Sequence, residues 1–197
     1  MKIIKNAGVC IIDIDGYSKK KMEIQYIIVQ SLNHAIIKAK NSEECKNFNK
    51  TIYKYISTGD GFIIIGKDIG LLLTMMKSFI IELNNSPEKV YDKKNNISIS
   101  DMFPSFHLSF HIGDVFKFTD VNNEENYSGD GINYCQRINS ATGSNQVLIS
   151  ATTYNKIKDD NFFKDLNFEE LIIKIKHKER MRVYNVYNEA NTFGSKK

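Results

Sequence analysis

The sequence has only three cysteines in 197 residues, Cys10, Cys45 and Cys135, and no two of them stand at metal-ligand spacing. That odd, scattered set excludes a disulfide framework and a paired-cysteine zinc site, and it reads as reduced thiols in a cytosolic protein. Proline is scarcer still. Both residues, Pro87 and Pro104, fall in one polar, asparagine-rich stretch, 86–104, which reads as a surface loop. No apolar run reaches the roughly 20 residues that span a bilayer, so no membrane segment is expected. The N-terminal MKIIKNAGVCIIDIDG carries a short apolar stretch, but Asp13 and Asp15 interrupt it, as they would not in a signal peptide. GxxxxGK[ST] is missing, which argues against a P-loop nucleotide hydrolase. An excess of one charge is missing too: 27 basic against 23 acidic residues give +4. The densest basic run, Lys174 to Arg182, alternates with apolar and acidic residues and reads as a solvated strand or loop, with phosphate binding the alternative. A nucleic-acid partner would need a concentrated basic face, so none is expected, whereas a nucleoside triphosphate suits this balance.

What the chain does have is 42% apolar and 25% charged content, enough for one domain with a substantial core. No linker or repeat divides residues 1–197. Val9–Ile14 is a short apolar run closed by Gly16 and predicts a buried strand. Residues 17–40 lack glycine and proline, and Met22, Tyr26, Val29, Asn33 or Ala35, and Ile36 recur at helical spacing. Thr51–Thr58 and Phe62–Gly66 flank Gly59-Asp60-Gly61 and predict a hairpin. Residues 69–83 read as an apolar helix. Phe106–Phe118 reads as a strand pair broken near Gly113, followed by a polar stretch, 120–126. A helix over Ile132–Ile138, a strand at Val147–Ser150, a short helix and a terminal strand pair complete the order. Strands and helices so mixed imply an α+β mixed sheet flanked by helices.

Two groups of residues carry candidate chemistry. Asp13 ends the first strand and Asp60 tips the hairpin. Each has an ordinary reading, Asp60 as turn chemistry and Asp13 as a helix cap in competition with Asp15. Together, such carboxylates can converge on a hard divalent ion whose other positions go to substrate phosphates. In the second group, Asn133 and Arg137 are four apart and share one helix face. That pair can orient a sugar and hold developing phosphate charge, or simply form a solvated face.

In order and spacing these pieces resemble a class III nucleotidyl cyclase domain over about residues 8–187. DIDGYS resembles the first metal motif, STGDGFIII the second, HLSFHIGDV the Gly-Ile-His-x-Gly-x-Val strands, and GINYCQRINSATGSNQVLIS the Asn-x-x-x-Arg helix with its following strand. The resemblance implies a ferredoxin-like core and two Mg²⁺ or Mn²⁺ ions on Asp13, Asp60 and the Ile14 carbonyl. It implies that Asn133 positions the ribose and Arg137 stabilises the transition state. Lys178 or Lys176 would bind the triphosphate. It further implies a head-to-tail homodimer, because the family draws the metal aspartates and the Asn/Arg pair from opposite subunits. Retention of all four residues argues against a degenerate, binding-only copy.

Base selection departs from the purine cyclases. Where they carry a lysine or glutamate, four residues before the second metal aspartate, this chain has Ile56. At the partner base position it has Asn126, whose amide both donates and accepts, and Tyr53 and Tyr55 flank Ile56 and could narrow the pocket. A compact chain with these readers is similar to the pyrimidine cyclases of bacterial Pycsar anti-phage systems. That implies cytoplasmic formation of cyclic UMP from UTP, for a separate effector protein. Cyclic CMP and a divergent purine cyclase are the alternatives.

Overall fold

The computed structural model describes residues 1–45, 51–85, 105–175, 179–189 and 193–195; the loop expected over 86–104 lies outside them. Eight strands form one sheet: β1 Lys2–Ile14, β2 Ile52–Ser57, β3 Gly61–Gly66, β4 Phe106–Thr119, β5 Glu125–Ser128, β6 Gln146–Ser150, β7 Asn167–Lys174 and β8 Arg180–Tyr187. Their order is β2-β3-β1-β4-β6-β8-β7, with β5 pairing β4 off that path. Among the described residues only β4 and β6 run parallel; the other paired strands are antiparallel. Helices α1 Met22–Asn41, α2 Ile69–Asn85, α3 Asp130–Asn139 and α4 Ala151–Ile157 flank the sheet. Among the described residues, the strands and helices β1-α1-β2-β3-α2-β4 fold as a ferredoxin-like βαββαβ unit with strand order 4-1-3-2. The expected α+β class stands. Among the described residues no helix is long and apolar enough to cross a membrane.

Strand alternation divides the core into two layers. Cys10, Ile12 and Ile14 of β1, with Phe62 and Ile64 of β3, face α1, α2 and α4. Ala7, Val9 and Ile11, with Ile63 and Ile65, face the other way and meet Ile132 and Cys135 of α3. Asp13 continues that second series past its apolar part, which delivers a carboxylate to the α3 side of the sheet.

Three expectations change. The first helix begins at Met22, after a short 3₁₀ turn at Tyr17–Lys19, and its buried stripe is Ile28, Leu32, Ala35, Ile36 and Ala39. Met22 and Tyr26, which contributed to the helical periodicity, are exposed. The buried stripe, Ala35 and Ala39 included, shares one core cluster with Leu72, Met76 and Phe79 of α2. The expected break at Gly113 is absent, for β4 runs through it as a single strand. Gly113 instead marks a close approach, since a Cβ there would stand 2.7 Å from the Gly131 Cα at the start of α3. The additional strand is β5, drawn from the stretch read as polar loop, where Glu125–Ser128 pairs with Phe116–Thr119.

Candidate active site

The β2–β3 hairpin is built to present Asp60. Gly59 has φ +93°, which disfavours a side chain, and the Thr58 N–H donates to the Gly61 carbonyl across the turn at 3.1 Å. The Ile14 N–H donates to the Asp60 carbonyl at 3.1 Å, tying the turn to the end of β1, and the Thr58 hydroxyl donates to the Asp60 carboxylate at 3.2 Å. Gly61 pairs with Asp13, and any Cβ there would overlap the Ile12 carbonyl. Glycine is therefore what permits the two carboxylates to approach. Neither aspartate caps α1, whose cap position is Lys21, so the ordinary reading of Asp13 as a helix cap falls. Asp15 is occupied elsewhere, accepting a 2.6 Å hydrogen bond from Ser144.

Asp13 is half-buried, and its carboxyl titrates above its ordinary range. Burial is the larger cause and the facing Asp60 carboxyl the next, partly offset by His107, its partner across the β1–β4 ladder. A raised carboxyl holds its proton more tightly folded than unfolded. Its contribution to stability is thus complete below the ordinary 3.8 and is lost as pH rises through the raised folded value. Asp60→Asn, which removes the facing charge, is expected to stabilise the metal-free protein at neutral pH. Allowing for solvent screening, the gain is about 0.5 kcal/mol, or about 1–2 °C in Tm. A thermal melt in a chelating buffer checks this, and an unchanged or lower Tm would show that the pair does not repel.

Helix α3 is seated by backbone contact and by its buried residues. Gly131 lies against Gly113, and the Cys135 thiol reaches the Val9 and Ser109 carbonyls at 3.5 Å. With Ile132, Cys135 and Ile138 turned inward, Asn133, Gln136 and Arg137 are left on the open side. The result is a cleft of about 750 Å³ lined by Asp13 and Asp60 together with Asn133, Gln136 and Arg137. His107, with Lys174 at the end of β7 and Ile175 after it, also lines the cleft.

The structure therefore gathers all four principal candidates on a single chain's cleft. Ile14 turns its side chain under the helices, so only its backbone stands beside the carboxylates. Tyr55 is a correction: its hydroxyl donates to the Met75 sulfur at 3.6 Å, placing it on the opposite, helix-covered face. Burial pushes its phenol up to about 12. A register shift between Ile52 and Lys54 separates Tyr55 from Tyr53, whose ring stacks on Tyr127 of β5 at 6.3 Å. Ile56 packs with the α3-side core, and Asn126 sits on β5 with its amide oxygen on the Tyr127 N–H at 2.9 Å. Neither Ile56 nor Asn126 lines the cleft. Lys176 and Lys178 lie outside the described residues. Sequence reasoning did not select His107, Gln136 or Lys174 for the cleft. His107 was accessible in principle, because alternation along β4 against β1 puts it opposite Asp13.

The donor set suits a hard divalent cation. Two carboxylates face one another with a strand-end backbone beside them, an all-oxygen set of the kind such ions take. Among the described residues no third acidic, histidine or cysteine side chain joins them in a metal-holding group, which leaves the other positions to backbone, water or ligand.

No family model and no curated protein matches the chain. Solved structures do. The guanylate cyclase domain of a rhodopsin-guanylyl cyclase from Catenaria anguillulae, in complex with GTP, superposes with a TM-score of 0.71 at 17% identity, over 95% of this chain and 99% of that one. The adenylyl cyclase CyaB from P. aeruginosa gives 0.71 at 19% identity, over 98% of this chain and 100% of that one. A rhodopsin-guanylyl cyclase catalytic core with converted specificity, in complex with ATPαS, gives 0.70 at 17%, over 95% and 98%. The chain thus has the fold of class III adenylyl and guanylyl cyclase domains.

Proposed function

We propose that this chain is a nucleotidyl cyclase, converting a nucleoside triphosphate to its 3′,5′-cyclic monophosphate and pyrophosphate. The observation that carries this reading is the meeting of Asp13 and Asp60 with Asn133 and Arg137 in one cleft of a cyclase fold. The ribose 3′-oxygen attacks the α-phosphorus, the 3′-hydroxyl gives up its proton to solvent water, and the bond to the bridging oxygen breaks as pyrophosphate leaves. Asp13 and Asp60, with the Ile14 carbonyl, would hold two Mg²⁺ or Mn²⁺ ions. Bound there, such ions acidify the 3′-hydroxyl and neutralise the leaving group. Asn133 orients the ribose through an amide that donates and accepts, and Arg137 meets the charge that grows on the α-phosphate. Lys178 or Lys176 would bind the triphosphate. A second copy in head-to-tail arrangement would complete two sites.

The proposed substrate is UTP, with CTP the nearest competitor. The support is residue identity: by the resemblance Ile56 stands where a purine-reading side chain would be and Asn126 at the partner base position, although neither lines the cleft and the Asn126 amide is engaged by Tyr127 and Asp120. A site that leaves polar partners unpaired against the wrong base discriminates strongly, whereas shape alone is worth about 1–3 kcal/mol. The product, cyclic UMP, would serve as a bacterial anti-phage signal read by a separate effector. Turnover of the four ribonucleoside triphosphates with Mn²⁺ tests this directly. UTP is expected to exceed ATP and GTP by at least about tenfold, the factor that 1.4 kcal/mol represents. ATP or GTP turnover equal to that of both pyrimidines would end the pyrimidine reading and leave a purine cyclase. No cyclic product from any nucleotide would leave a binding-only domain.

A further inference from the structure

Arg137 has an unusual setting for a residue expected to meet phosphate. Among the described residues no carboxylate or carbonyl pairs with its guanidinium. What touches it is the ring of Tyr134, one helical turn back on α3, with the guanidinium carbon 5.0 Å from the ring centroid. Tyr134 is itself braced, because the His111 imidazole of β4 lies against it at 5.7 Å with the planes inclined by 43°. His111 pairs with Val9 in the middle of the sheet, so its backbone is fixed. Its Nδ1 meets no partner among the described residues, so packing holds the ring. Burial takes its titration down to about 4, so the imidazole beside Tyr134 is neutral at physiological pH.

We propose that Tyr134 is a positioning residue for Arg137: its ring, braced by His111, holds the guanidinium on the cleft wall before a phosphate arrives. The inference rests on the cyclase reading for its consequence, though its geometry is independent of it. The chemistry favours an aromatic partner over an acidic one. A carboxylate would orient the guanidinium but cancel part of the charge that the phosphate needs. A ring face attracts the cation through its quadrupole, leaves the charge intact and leaves the N–H donors free. Holding a long side chain in place beforehand also removes the cost of ordering it at the transition state.

The test compares Tyr134→Phe and Tyr134→Leu with the parent in the full-length chain. Phenylalanine keeps the ring, and leucine keeps helix and bulk without it. Tyr134→Phe is expected to retain kcat within about twofold, while Tyr134→Leu loses about fivefold in kcat with little change in KM. The second readout is the Arg137 Nε–Hε resonance, which ring current should displace in the parent and in Tyr134→Phe but not in Tyr134→Leu. Equal kcat in parent and Tyr134→Leu overturns the proposal, as does equal damage from both variants. A resonance unmoved by Tyr134→Leu overturns it as well, whatever the activity. If the parent forms no cyclic product from any nucleotide, the cyclase reading falls and the resonance alone decides the positioning.

Discussion

On the proposed cyclase reading, Asp60→Ala is expected to lower cyclic-nucleotide formation by about a thousandfold or more, the scale on which loss of a charge-stabilising or metal-holding group acts. The substitution leaves the fold in place for a specific reason. The contacts that close the hairpin are backbone ones: Thr58 to Gly61, and Ile14 to the Asp60 carbonyl. The lost side chain contributes a hydrogen bond with Thr58 and a carboxyl that repels Asp13. A purified variant should therefore melt within a few degrees of the parent while making no measurable product with Mn²⁺. Manganese should also raise the Tm of the parent and leave that of the variant nearly unmoved, because ligand binding stabilises only a protein that binds it. Activity within a few-fold of the parent would remove Asp60 from the site.

A mixture of two inactive variants, Asp60→Ala and Arg137→Ala, is expected to regain activity. If the site is shared between two chains in head-to-tail arrangement, a mixed dimer has one doubly damaged site and one intact site. Random exchange makes about half the dimers mixed, so about a quarter of parental activity should return. The experiment matters because the cleft of a single chain already contains both Asp60 and Arg137. Silence after demonstrated subunit exchange would mean that each chain works within its own cleft. Recovery would mean that the four residues serve two sites, each completed from across the interface.

Much of this arrangement was legible in the chain itself, wherever a local rule operates. The GDG hairpin, the buried first strand and the Asn133/Arg137 face each follow from one segment's periodicity or turn chemistry. The order of strands and helices was enough to imply a mixed sheet with helices on it. The errors arose where burial by a distant segment decides the outcome. In α1 the spacing alone did not separate the end that is buried, with Ala35 and Ile36, from Met22 and Tyr26, which stay exposed. At Gly113 the local signal is a turn, whereas the cause of the glycine is a helix start eighteen positions further on.

The site divides along the same line. The sequence by itself determined which chemical groups exist and which neighbours share a face: two carboxylates at strand ends, an amide and a guanidinium one turn apart. It also determined the departures at Ile56 and Asn126, since those are matters of residue identity. Only the tertiary structure decided that Asp13 faces Asp60, that His107 stands across from Asp13, and that Tyr55 turns away beneath α2. Strand alternation gives a residue one of two faces, but a register shift such as that between Ile52 and Lys54 exchanges them. Such a shift is set by pairing with another strand, and a strand's own residues do not carry it.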